Sequence, residues 1–407
     1  MPLLFLGLAV ALVVARRPDA LFHAQFWAED GAAWFADAYS RGPLGTLVLP
    51  RDGYFHLAHR LGGSLGVLVG LRWAPLLTNS LAILVQASPA AFFVTRRFSG
   101  VVPDVRVRAV LAGLYLLMPN TSEIDANITN IQWHLDLLAA MVVLATPRPA
   151  AGWRAFDVGA LVLSGLSGPF AILVLLVALA RFAVRRERWT LVLAGVAAAC
   201  VALQLLSLTS GVGTHRSKAP LGAGLRTLLA IVGAQVVTAS MVGATGYSAV
   251  VQAYHGRALL AGIGAAGLVI VAYTVLRGPL ELKLFVCFAF AALAAALLSP
   301  QVDSVKPQWP QMLGPGVGGR YYLLPGLAFV ACVVWLALRA PARWLRWAGQ
   351  AAVVVVIVVG VPLDFEYARY HDYHPDTEAA QFEQAPQGTR MSIPINPPGW
   401  SIQLDKK

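Results

Sequence analysis

Residues 181–206 read RFAVRRERWTLVLAGVAAACVALQLL. Arg181, Arg185, Arg186 and Arg188 crowd the start, and the uncharged apolar run 191–206 follows at once. A hydrocarbon layer about 30 Å thick calls for roughly 20 apolar residues per helix. Basic residues collect in the cytoplasmic loops. The stretch therefore predicts a membrane helix that leaves a cytoplasmic loop. The pattern recurs along the chain, as in the apolar run 351–363. Composition agrees: 58% of the 407 residues are hydrophobic and 13% charged, with a mean hydropathy of +0.66. A soluble domain carries about twice that charged fraction. The short alternating segments of a membrane β-barrel are absent.

The basic residues set a topology. Clusters at Arg96–Arg108, Arg148–Arg154, Arg181–Arg188, Arg277–Lys283 and Arg339–Arg346 hold about half of the 31 Lys and Arg. That distribution assigns the net charge of +11 to membrane orientation and argues against nucleic-acid binding. With all five clusters inside, helices are expected near 1–15, 74–95, 107–119, 131–146, 156–166, 169–184, 189–210, 257–276, 280–299, 321–338 and 345–363. The expectation is an all-α, polytopic, multi-pass protein of about 11 helices in the inner (plasma) membrane. Its N-terminus lies inside and its C-terminus outside. The segment 227–245, with Gln235, Thr238, Ser240 and several glycines, reads as re-entrant or interfacial. Residues 1–363 form the transmembrane module, and 364–407 form a short extracytoplasmic cap, extended or strand-like. Cys200, Cys287 and Cys332 lie within apolar runs and read as inert buried thiols.

The N-terminal MPLLFLGLAVALVV has no basic n-region and reads as a first helix rather than a signal peptide. Arg16 and Arg17 stand at its outer end, which the positive-inside rule disfavours. Two expectations cover them: they snorkel to the headgroups, or more positive charge lies upstream.

The polar segments 16–60, 120–130, 211–226, 300–320 and 364–407 then face outward. The first outer loop, 16–60, carries Glu29-Asp30, with Asp37 one helical face along and Trp27, Trp34, Phe35 and Tyr39 around them. Such aromatics suit helices lying in the membrane interface. A carboxylate there, partly desolvated, can serve as a general base. Asp37 reads as a solvated partner. His56 and His59 lie one turn apart and with Asp30 form a weak metal pattern. The second loop, 120–130, holds Glu123 and Asp125, with His134 just beyond. Polar residues between membrane segments are costly unless they face water or a site. Helix-breaking residues at 165–169 suggest a cavity near 119–131 and 165–170. In the late loop 300–320, GPGVGGR presents Arg320 behind glycines, an arrangement able to hold a phosphate. Arg216 and Lys218 are further outer cations. No P-loop, GxSxG, HExxH or dinucleotide fingerprint occurs.

An acidic pair in the first outer loop, a second acidic loop after the third helix, an arginine before a late helix and a small outer tail together resemble the GT-C class of membrane glycosyltransferases. The resemblance implies an inverting hexosyl- or pentosyltransferase that takes its sugar from a polyprenyl-phosphate donor. The acceptor would be a cell-envelope glycan or lipid, and the site would face the extracytoplasmic side. It implies Asp30 as catalytic base with Glu29 beside it. Glu123, Asp125 and His134 would position the acceptor or a divalent cation, Mg or Mn. Arg320, Lys218 and Arg216 would hold the donor phosphate. The alternative reading is a transporter or flippase for a lipid-linked glycan.

Overall fold

The computed structural model describes residues 2–209, 217–254 and 256–407. Nearly all the regular structure is helical; the strands are β1 (Arg390–Ile395) and β2 (Trp400–Asp405). Among the described residues, six helices are long and apolar enough to cross a membrane. Ala74–Phe93, Arg188–Leu208, Arg257–Arg277, Leu280–Leu298 and Arg343–Leu363 fall where spans are expected; the sixth is Leu225–Ala253. Helices also occupy the other expected positions, but Leu3–Arg16, Ile131–Leu144 and Leu323–Arg339 are apolar and shorter. The chain is a multi-pass membrane protein.

The Leu225–Ala253 segment, read as re-entrant or interfacial, is helical and apolar over a spanning length. Of its glycines, Gly233 serves helix packing. A Cβ on Gly233 would stand 1.9 Å from the Leu260 carbonyl oxygen, and one on Gly264 would stand 2.0 Å from that of Leu229. The two helices thus touch backbone to backbone, as small residues permit within membranes. Gln235 donates to the carbonyls of Met312 and Gly314, both at 2.8 Å, and Thr238 to that of Gly233 at 2.7 Å. The helix breaks at Gly243, whose φ is +77°. There the Asp364 carboxylate accepts from the Ala244 N–H at 2.8 Å and the Thr245 N–H at 3.3 Å, capping the restarted helix.

Ile131–Leu144 is the central helix, buried at every position except Gln132. It carries Asp136, which accepts from the Ser164 hydroxyl at 2.7 Å. The helix break at 165–168 is filled by protein. Ser167 Oγ accepts from the Ala58 N–H at 2.9 Å, and Gln204 donates to the carbonyls of Gly165 and Gly168. Some cluster arginines are structural as well: Arg97 forks onto Asp157, and Arg181 reaches the Val143 and Ala145 carbonyls.

The first outer loop folds as short helices, with a π-helical turn at Asp30–Phe35 running into Ala36–Arg41. Leu57–Val69 follows and packs on that turn, with Gly63 against the Trp34 backbone. The tail lies on the same loop. Ile393, Ile395, Ile402 and Leu404 of the antiparallel hairpin bury against Phe26, Phe35 and Phe382. Asn396 exchanges backbone hydrogen bonds with Phe26 and Ala28. A Cβ on Gly31 would meet Ile402 at 2.7 Å, so the π turn and β2 are in direct contact.

Candidate active site

A cavity of about 790 Å³ lies where the second loop, the Gly243 break and the tail converge. Its wall includes Arg17, Trp27, Glu123, Asp364, Glu366 and Tyr370. Thus the second-loop end of the expected cavity is present, while 165–170 lies away from it. Arg369, His371 and Asp372 of the tail add further charge and hydrogen-bonding capacity.

The Glu123 carboxylate meets Arg320. It accepts from the Arg320 backbone N–H at 3.2 Å and forms a close ion pair with its guanidinium. Gly316 and Gly318 take positive φ, and a Cβ on Gly319 would stand 3.4 Å from Glu123 Oε2. The glycine-rich stretch therefore cradles an anion, but that anion is the protein's own carboxylate. Burial alone would lower the Arg320 pKa; the Glu123 charge outweighs it and raises it. Two residues expected to serve acceptor and donor separately are partners. Lys218 is exposed and forms no part of the cavity wall. Arg216 lies outside the described residues.

Asp30 is 1% exposed. Its carboxylate accepts from the Ile128 N–H at 3.1 Å, and from the Thr129 N–H and hydroxyl at 2.6 Å each. Burial pushes its pKa up to about 7, against the lowering effect of these three bonds. It stands outside the cavity wall and fastens the second loop to the first. Glu29 beside it is half-buried, and burial raises its pKa too, with Arg320 and Arg51 opposing. Asp37 differs from its reading as a solvated partner: it pairs with the buried guanidinium of Arg60 at 2.5 Å.

Asp125 and His134 are equally removed from solvent. Asp125 accepts from the Tyr367 hydroxyl at 2.5 Å and the Thr121 hydroxyl at 3.1 Å, and it ion-pairs with Arg16 at 3.4 Å. His134 Nδ1 bonds the Tyr115 hydroxyl at 2.8 Å, and Nε2 bonds the Ile124 carbonyl at 3.3 Å. These contacts hold the inner side of the loop and leave neither residue open to an acceptor. His56 and His59 flank the Trp34 ring at 4.8 and 5.0 Å, and His59 bonds Gln132 at 2.6 Å. Among the described residues, no cluster of three or more His, Cys, Asp or Glu could hold a metal ion.

Sequence reasoning did not single out Asp364, Glu366, Tyr367 or Tyr370, all in the tail. It did mark Arg16 and Arg17, as misplaced charges. Both are buried in protein instead of snorkelling. Arg17 sits among the rings of Trp27, Tyr367 and Tyr370, with centroid distances of 5.8, 5.0 and 4.9 Å.

No protein-family model matches the sequence, and no curated protein does. Among solved structures, the fold is similar to the archaeal oligosaccharyltransferase AglB from Archaeoglobus fulgidus, determined in complex with an inhibitory peptide and a dolichol-phosphate. The TM-score is 0.41 and the identity 14%; the match covers 95% of this chain and 58% of that one.

Proposed function

We propose that the protein is a membrane glycosyltransferase that moves a sugar from a polyprenyl-phosphate donor to an acceptor at the outer face. The observation that carries this reading is the cavity of about 790 Å³ beside apolar helices, walled by aromatic rings, carboxylates and arginine. Aromatic faces and carboxylates suit a sugar, and a cation suits its phosphate. The apolar helices alongside suit a lipid chain. In the reaction, a carboxylate takes the proton of an acceptor hydroxyl. That oxygen bonds to the anomeric carbon, the bond from that carbon to the phosphate oxygen breaks, and the polyprenyl phosphate leaves. We assign the base to Asp30, because a carboxyl titrating near 7 is matched to neutral pH. Its access requires residues 127–130 to draw away and release the bonds from Ile128 and Thr129. The residues present do not fit a divalent cation: among the described residues no group of three or more His, Cys, Asp or Glu could hold one, and Glu123 is taken by Arg320.

The test is sugar transfer by the purified full-length protein in nanodiscs, supplied with polyprenyl-phosphate sugars and an acceptor glycan or lipid. Transfer by the wild type, with its rate cut about 10²–10⁴-fold in Asp30→Asn, supports the reading. A folded Asp30→Asn protein with undiminished turnover removes Asp30 from the chemistry. Absence of transfer, together with translocation of lipid-linked glycan in liposomes, replaces the enzyme by a flippase.

A further inference from the structure

Among the described residues, Arg17 is a buried cation with no carboxylate in ion-pair contact. Its exposure is 3%. One nitrogen, Nη2, donates to the Ser122 carbonyl at 2.9 Å. Nε and Nη1 have no hydrogen-bond partner. The Tyr370 hydroxyl interacts with Arg17 electrostatically and as a loose side-chain hydrogen bond, although neither group has a partner of good hydrogen-bond geometry. Asp19 acts on Arg17 through space, but its carboxylate is engaged by the Tyr370 N–H at 2.7 Å. Three aromatic rings strip the guanidinium of water and hold it in place.

A buried charge normally has a partner, since desolvation is repaid only by pairing and hydrogen bonds. Arg17 stands on the cavity wall, where a bound ligand would supply that partner. The wall's own carboxylates do not. Glu123 is taken by Arg320, Asp364 by the N–H groups of Asn120, Ala244 and Thr245, and Asp372 by His23 at 3.0 Å. Glu366 is exposed and forms no ion pair with Arg17. Exposed Arg369 adds a second cation to the same wall. Leu363 closes one candidate span, and Ala244 and Thr245 follow the Gly243 break inside another, so the cavity lies beside two apolar helices.

From this we infer that Arg17 is the anchor of an anion site, and that its ligand is a phosphoryl group borne on an apolar chain. Guanidinium donors suit phosphate oxygens. The inference moves the phosphate from Arg320, where it was expected, to the far end of the first helix. It rests on the proposed function only for the identity of the ligand; its test reads binding and needs no sugar transfer.

The experiment is isothermal titration of the full-length protein in phosphatidylcholine nanodiscs with farnesyl phosphate, farnesol and inorganic phosphate. The wild type should bind farnesyl phosphate, and farnesol at least tenfold more weakly. Arg17→Met should weaken farnesyl phosphate at least tenfold. Arg17→Lys, which keeps the charge but loses the fork, should fall between, and it serves as the test should Arg17→Met fail to fold. If inorganic phosphate also binds, and loses affinity in the same variants, the site takes the phosphoryl group alone. If it does not bind, the apolar chain is part of recognition. Equal affinity of the wild type and both variants for farnesyl phosphate, or no binding of either phosphate by the wild type, overturns the inference.

Discussion

Arg16 and Arg17 are consecutive, and each is almost wholly buried, at 1% and 3% exposure. Arg16 points into the second loop. It donates to the carbonyls of Leu116 at 2.7 Å, Met118 at 3.1 Å and Asp364 at 3.0 Å, and it pairs with Asp125. Arg17 points to the cavity, bonds one carbonyl and leaves two nitrogens unmatched. A fully partnered buried charge is part of the fold, while an unpartnered one is an obligation the fold leaves open. The same contrast separates the two acids of the second loop. Asp125 is sealed against Arg16 and Tyr367, whereas Glu123 reaches the cavity wall.

The largest expected effect breaks the partnered side. Arg16→Met leaves Asp125 buried without its cation and should cost about 3–5 kcal/mol of stability. Unfolding in detergent measures it, and Arg16→Met combined with Asp125→Asn should recover part of the loss. Arg17→Met in the same assay, without ligand, should lose little or nothing, because no pair is broken. Equal losses from the two arginines would erase the contrast.

Asp30→Asn comes next, with its turnover loss of about 10²–10⁴-fold. It should also change the pH dependence of stability. The folded-state pKa is raised from 3.8 to about 7, so the folded protein holds a proton that the unfolded chain has released. That contribution is fully present below about pH 4 and is lost as pH rises through about 7. Melting temperatures of the wild type should therefore fall over this window relative to those of Asp30→Asn. Parallel curves would show that the carboxyl is not desolvated.

Glu123→Gln sharpens the comparison by removing the counter-ion of an arginine that keeps other partners, the Gln301 carbonyl at 2.5 Å and the Tyr321 hydroxyl at 3.2 Å. The pair is partly exposed, with side chains 26% and 19% accessible, so stability should fall by only about 1 kcal/mol. Arg320 would stay on Gln301 and Tyr321, outside the cavity wall, and calorimetry should show farnesyl phosphate binding within about threefold of the wild type. The smallest effect belongs to Lys218→Ala. That side chain is exposed, and the change should stay within about 0.5 kcal/mol in stability and leave phosphate affinity unaltered.

Much of the fold was legible because hydrocarbon imposes a simple rule on sequence. Five of the six helices of spanning length fall where apolar runs and arginine clusters place them. Leu225–Ala253 is harder to read, because Gly233 and Gln235 look like irregular backbone until their packing partners are known. Charge counting has the same blind spot. Arg97 and Arg181 count toward a cytoplasmic loop, yet their guanidinium groups are tied to Asp157 and to the Val143 carbonyl. The site was legible in part. Glu123 and the glycines before Arg320 were picked out from composition, and they do meet. Asp125 and His134 have the same chemical look, and only their burial separates them from Glu123.

By itself the sequence determined that the chain lives in a membrane as a helical protein, and that its acidic side chains gather in a few loops. Apolar runs and charge clusters are local properties, and a bilayer reads them locally. Which charges are spent inside the fold and which are left for a ligand was decided only by the tertiary structure. Asp364 and Tyr367 reach the second loop from more than 200 positions away, Arg320 crosses to Glu123, and Arg17 is left facing the cavity. Whether a buried charge is satisfied depends on partners distant in sequence, and no spacing along the chain records them.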